Sequence, residues 1–203
     1  MKSVLILANG EAWQQAAIAA LRQAIEADGG AIAESASIAD IFCPLTLDLP
    51  ESAQSDQAVF QACRDLDGLR DRVQKLGYEI GSGSHWLPIV HTAKGTLYGE
   101  VVTAAGDGYQ QPLHLSDRLR QPLYALGQIL MRELAAPPAV YLLQFGIAEN
   151  DVVFDRLWPF PAAPAVASIG VQLPNLYECH WRCLSGRAIV DLAIAGTAAF
   201  RLG

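Results

Sequence analysis

Long hydrophobic runs are missing from this sequence. Its most apolar stretches, such as residues 3–8 and 139–143, fall far short of the roughly 20 residues that a bilayer-spanning helix requires, so no membrane span is expected. The stretch after Lys2 stops at Asn9-Gly10-Glu11, too early for a signal peptide. Positive charge is scarce as well: 14 Lys and Arg face 21 Asp and Glu, for a net charge of −7. That balance argues against a basic face tracking phosphates, so neither nucleic acid nor an anionic membrane is an expected partner. Cysteine is limited to Cys43, Cys63, Cys179 and Cys183, with no Cys-x-x-Cys pair, which is ordinary intracellular usage and places the chain in the cytoplasm by default. Internal repeats and low-complexity segments are also absent.

What is present is a chain able to bury a core. Hydrophobic residues make up 52% of the 203 positions and charged ones only 17%, which excludes a disordered tail. Val4 to Ala8 reads as a buried strand, followed by a helix over 12–27 whose inner face is Trp13, Ala16, Ala17, Ala20, Leu21, Ala24 and Ile25, stopped by Gly29-Gly30. The segment 38–49 is β-prone but carries Pro44, which suits an edge strand or a loop. A second helix, capped by Ser55 or Asp56 and interrupted by Gly68, is expected to run to Gly77. The glycines and serines of 77–85 read as a flexible linker, dividing an N-terminal α/β lobe, 1–80, from a second lobe, 81–203.

Beyond that boundary, 86–92 and 96–103 read as a hairpin, and 104–112 as a loop. Pro122 suits the first turn of a helix with Leu123, Leu126, Ile129, Leu130 and Leu134 inward. Residues 139–147 and 152–157 read as a second hairpin, Asn175 as the cap of a helix over 176–184 closed by Gly186, and 188–194 as a last strand. The fold class is therefore α+β, or mixed α/β.

The order of "LPIVHTAKGTLYGEVV", the loop and helix of 112–134, the strands "YLLQF" and "VVFDRLWPFP" and the helix "LYECHWRCLSG" resembles the C-terminal half of the ATP-grasp fold, of the carboxyaminoimidazole ribonucleotide synthase type. Tyr177, Glu178, His180, Arg182 and Gly186 match the pattern of that family's closing helix. The resemblance implies magnesium and ATP held by carboxylates on the strand pair, because a hard cation bridging phosphates needs several oxygen ligands. Here Leu143-Gln144 and Asp155-Arg156 stand at those positions; a one-residue shift would leave Asp155 as a lone ligand. The chain ahead of Leu87 is also shorter than that family's substrate-binding and nucleotide-gripping parts together.

A second resemblance is to thiamin pyrophosphokinases, carried by "LILANG", "ADGGA", "LTLDLPES" and "SDQAVFQA". It implies Asp28, Asp48 and Asp56 as magnesium and ATP ligands, although "ADGG" is equally a helix C-terminus. Cys179 and Cys183 share a helix face, but a zinc site would need further ligands from His85, His91 or His114, and buried cysteines are commoner, so no metal is assigned. Trp158 and the prolines after it read either as an exposed contact surface or as a cap on the core.

These observations lead to two expectations from different classes. The first is a non-catalytic binding or assembly protein on a degenerate ATP-grasp-like scaffold. It needs no cofactor and binds a small molecule or a protein through Arg156, Glu178, His180 and Arg182, with the loop 159–164 and the helix around His180 forming a cleft. The alternative is an ATP-dependent enzyme using magnesium, in which Asp155, Asp28 and Asp48 act; no catalytic residue is assigned otherwise. Exposed β edges are compatible with a homodimer.

Overall fold

The structure is a computed structural model that describes residues 2–49, 57–196 and 198–201. Strand β1 (Ser3–Leu7), helix α1 (Gln14–Ala27) and strands β2 (Ala31–Ile32) and β3 (Ile41–Pro44) form a parallel sheet in the order β2-β1-β3. The buried face of α1 holds Ala17, Ala20, Leu21, Ala24 and Ile25, as its spacing predicts. Pro44 ends the edge strand opposite Leu7, where a missing N–H costs no ladder bond to a further strand.

Two helices follow where one is expected, α2 (Gln57–Arg64) and α3 (Leu66–Lys75). Asp65 breaks them apart by capping α3, its Oδ1 accepting from the Gly68 N–H at 3.0 Å. A side chain on residue 68 would collide with that carboxylate, so Gly68 serves the cap. The expected caps Ser55 and Asp56 lie outside the described residues.

The rest of the chain builds an eight-stranded sheet from β4 (Glu79–Ile80), β5 (His85–Thr92), β6 (Gly95–Tyr98), β7 (Val101–Ala105), β8 (Gly108–Leu113), β9 (Ala139–Ala148), β10 (Asp151–Trp158) and β13 (Ala198–Arg201). Its path is β13-β8-β7-β5-β9-β10-β4, with β6 added on β5. Helix α4 (Asp117–Glu133) packs against β5 and β10, and helix α5 (Leu176–Ser185) packs against α1, β3, β5 and β9. One hydrophobic core runs through both sheets. Strands β11 (Gln172–Leu173) and β12 (Ala193–Ile194) form a separate ladder.

The β9–β10 hairpin turns on Glu149 and Asn150, both with positive φ (51° and 82°), which matches the strand twist. Helix α5 runs one residue past its expected end and otherwise keeps its bounds, because both ends are specified. The Asn175 side chain accepts from the Tyr177 and Glu178 amides at 3.0 Å, and Gly186 takes the left-handed conformation at φ 74°.

Four expectations are corrected. The strand 96–103 is two, both along β5, and the break at Gly99 and Glu100 faces Pro88, which has no N–H to give to the ladder. The loop 104–112 is a tight turn followed by β8. Helix α4 begins after Ser116, leaving Pro122 inside it. Of 188–194 only Ala193–Ile194 is strand.

The linker reading also fails. Gly83 lies on the β9 backbone so closely that a Cβ would fall inside the Phe145 carbonyl, and a Cβ on Gly146 would lie 2.6 Å from the Ser82 carbonyl oxygen. Glycine here permits close approach of two backbones, not flexibility. Among the described residues no helix is long and apolar enough to cross a membrane.

Candidate functional site

Gln144 on β9 faces Arg156 on β10 across the hairpin, and an irregularity between Phe154 and Arg156 leaves Asp155 out of step. A bulge of this kind turns a side chain from its regular alternation. Phe154 and Asp155 are consecutive, yet both are buried. The Asp155 carboxylate accepts from Arg70 Nη2 at 2.6 Å, from the Gly83 N–H at 2.9 Å and from Gln144 Nε2 at 3.1 Å; Arg156 Nε lies 3.7 Å away. Arg70 Nε also donates to the Asp155 carbonyl at 3.0 Å. The Gln144 amide is engaged at both atoms, donating to the Gly83 carbonyl at 2.7 Å and accepting from Trp158 Nε1 at 3.0 Å.

In front of this network lies a cavity of about 420 Å³. On one side it is bounded by the carboxyl ends of β1 and β3, through Asn9, Glu11 and Thr46 to Asp48. That is where ligands bind in open parallel sheets. Trp86 of β5, Tyr109 of β8, Gln144 of β9 and Trp158 of β10 form the opposite wall, and the loop 160–164 closes it. Trp13 and Trp86 are buried, and the Trp86 and Tyr109 rings meet edge to face at 5.4 Å. The Trp158 ring lies 5.3 Å from the Arg156 guanidinium carbon, a cation–π distance.

Beside the cavity, the turn after β1 aims three N–H groups inward, the arrangement that binds phosphate in many αβ proteins. Here the chain fills it from within. Gln14 Oε1 accepts from the amides of Asn9, Gly10 and Glu11 at 3.1, 2.8 and 3.1 Å, while its Nε2 donates to the Leu45 carbonyl at 2.9 Å.

The residues expected to bind ligand are not gathered. Arg156 borders the cavity through Trp158, but Glu178, His180 and Arg182 on α5 do not line it. His180 is a core residue: Nδ1 accepts from the Val140 N–H at 3.1 Å, Nε2 has no partner, and burial pushes its pKa down to about 3. The cleft expected between the loop 159–164 and His180 is therefore corrected to one between that loop and the N-terminal sheet. Glu178 and Arg182 form the expected pair, at 2.6 Å. Cys179 and Cys183 are buried, and burial pushes both thiols up, that of Cys183 to about 12. Phe160 is in the core and Trp158 is half-buried, closer to the capping reading of that loop.

Asp28 accepts from Trp181 Nε1 at 2.7 Å and meets Arg187 at 3.1 Å, tying α1 to α5. Asp48 lies past the far end of β3, paired with Arg64 at 3.8 Å. The two aspartates stand at opposite ends of the N-terminal sheet and Asp56 lies outside the described residues, so the thiamin pyrophosphokinase reading is not supported. Sequence reasoning missed Gln14, Arg70, Gly83, Trp13, Trp86 and Tyr109. Three of the chain's four tryptophans reach one cavity from separate elements, a convergence that no local pattern carries.

No family model matches the chain, and no curated protein does. Solved structures do. Glycinamide-RNase-transformylase T from Mycobacterium tuberculosis superposes with a TM-score of 0.73 at 15% identity, covering 97% of this chain and 82% of the other. N5-carboxyaminoimidazole ribonucleotide synthetase from Thermotoga maritima gives 0.75 at 8% identity, covering 97% and 79%. Carboxyaminoimidazole ribonucleotide synthase from Aspergillus clavatus, complexed with ATP, gives 0.72 at 10%, covering 93% and 78%. The fold is ATP-grasp-like, and the mixed α/β class follows.

A magnesium triphosphate does not fit the strand pair. Its hard cation needs free oxygen ligands, whereas Asp155 is committed to Arg70, Gly83 and Gln144, and Arg156 adds a positive charge. Among the described residues no group of three or more His, Cys, Asp or Glu side chains gathers to hold a metal.

Proposed function

We propose that this chain is a small-molecule-binding protein on an ATP-grasp-like scaffold, taking its ligand in the cavity between the N-terminal sheet and the β5–β10 face. The observation that carries this reading is the pairing of a formed, aromatic-walled cavity with a strand pair whose polar groups satisfy one another. Pockets of this size and lining are the usual sites for small organic ligands. Cofactor-independent binding accords with the donor set described above.

ATP-dependent chemistry is the second reading. The likeness to ATP-grasp ligases favours it, one of them complexed with ATP, although fold alone is an analogy for function. Thermal melts and calorimetric titrations with ATP and ADP, with and without magnesium, separate the two, because a ligand of the native state raises its stability by mass action. The binding reading expects no magnesium-dependent shift at millimolar nucleotide. A magnesium-dependent rise in melting temperature that disappears in Asp155→Asn would establish the ATP reading instead.

A further inference from the structure

We propose that the cavity takes a small organic cation with a flat or N-methylated head. This inference rests on the cavity being the ligand site. Three features set the ligand's charge. Its walls are aromatic: Trp13, Trp86, Trp158 and Tyr109 converge on one space, and aromatic rings attract cations through their negative faces. Its charged lining residues among those described are Glu11 and Asp48, both acidic, with no Lys, Arg or His in the lining; Asp48 is paired with Arg64, and Arg156 lies over the Trp158 ring. The turn that could have received a phosphate is closed by Gln14.

Glu11 is also held in place. Its Oε2 accepts from Trp13 Nε1 at 2.7 Å and its Oε1 from Asn9 Nδ2 at 3.1 Å, so the carboxylate is fixed against one aromatic wall. It lies close enough to Tyr109 that its charge, after burial, helps push that phenol up. Arg156 stacked by Trp158 is an internal example of the same chemistry.

The test uses one ring in three charge states with the full chain: nicotinamide methylated at the ring nitrogen, neutral nicotinamide, and nicotinate, each titrated by calorimetry. The cation is expected to bind about tenfold more tightly than the neutral amide, with nicotinate weakest. Glu11→Gln keeps an acceptor for Trp13, and it should cut the cation's advantage several-fold while leaving nicotinamide affinity unchanged. Trp86→Leu should weaken cation and neutral amide alike. Nicotinate binding best, or a cation preference that Glu11→Gln leaves undiminished, overturns the inference. Equal binding of cation and neutral amide that is lost in Trp86→Leu overturns the charge class but leaves the cavity as the ligand site. Failure of all three to bind at millimolar concentration overturns both.

Discussion

Arg70 on α3 and Asp155 on β10 are joined through 2.6 Å, across 85 positions of sequence, and the same guanidinium reaches the Asp155 main-chain carbonyl. The carboxylate is buried and the guanidinium mostly so, hence removing one partner leaves a charge that water reaches poorly. Asp155→Ala is expected to cost about 2–3 kcal/mol, lowering the melting temperature by about 5–10 °C. Calorimetric melts of the variant check this, and an unchanged midpoint would mean that the network is not structural.

Gly83→Ala is a sharper perturbation. Its Cβ would need the space of the Phe145 carbonyl, so the segment before β5 must lift off the sheet, at a cost of about 3 kcal/mol or more. Gly196, which meets nothing within 4 Å, supplies the control: alanine there should be neutral. Equal melting temperatures for the two variants would refute the close approach.

Much of the fold was legible because local signals agreed. Asn175 and Gly186 bracket α5, and the apolar period of α1 matches its buried face. The hairpin of β9 and β10 was visible in two apolar runs around a turn. Pro122 misled because it suits a first turn, yet Ser116 starts the helix earlier. The glycines at 81 and 83 misled for a different reason: whether glycine means freedom or contact depends on what lies above it, and β9 is some 60 residues later. The site was least legible. Gln144 and Asp155 were singled out, but their partners Arg70 and Gly83 come from other elements, and the cavity assembles side chains from both the N-terminal sheet and the eight-stranded one.

His180 makes stability depend on acid. Buried and neutral, it has a folded pKa of about 3, below the ordinary value of 6.5 for the unfolded chain. The depressed value means that its contribution is complete above pH 6.5 and is lost as pH falls toward 3, because the unfolded chain takes up the proton first. His180→Asn can keep an acceptor for the Val140 amide. Over that window the unfolding constant of the native chain should rise by up to tenfold per pH unit more than that of the variant. Denaturant melts at several pH values measure the difference, and parallel slopes would assign the dependence elsewhere.

Gln14→Ala opens the turn after β1. Three amides lose their common acceptor, and the expected cost is about 1–2 kcal/mol, softened by water entering the partly exposed turn. The freed N–H groups should then recruit an anion, so sulfate is expected to raise the variant's melting temperature more than the native chain's. An equal response in both proteins would show that the turn does not hold anions even when vacated.

The saddle in which Gly83 rides over Phe145 and Gly146 also orders the folding reaction. The β9–β10 hairpin closes on a two-residue turn, a local event of microseconds. The segment ahead of β5 can settle only onto strands already paired, and it must close a loop of some sixty residues to do so, the kind of distant contact that slows folding. Substitutions in the hairpin should therefore slow refolding, whereas those at Gly83 and Arg70 should chiefly accelerate unfolding.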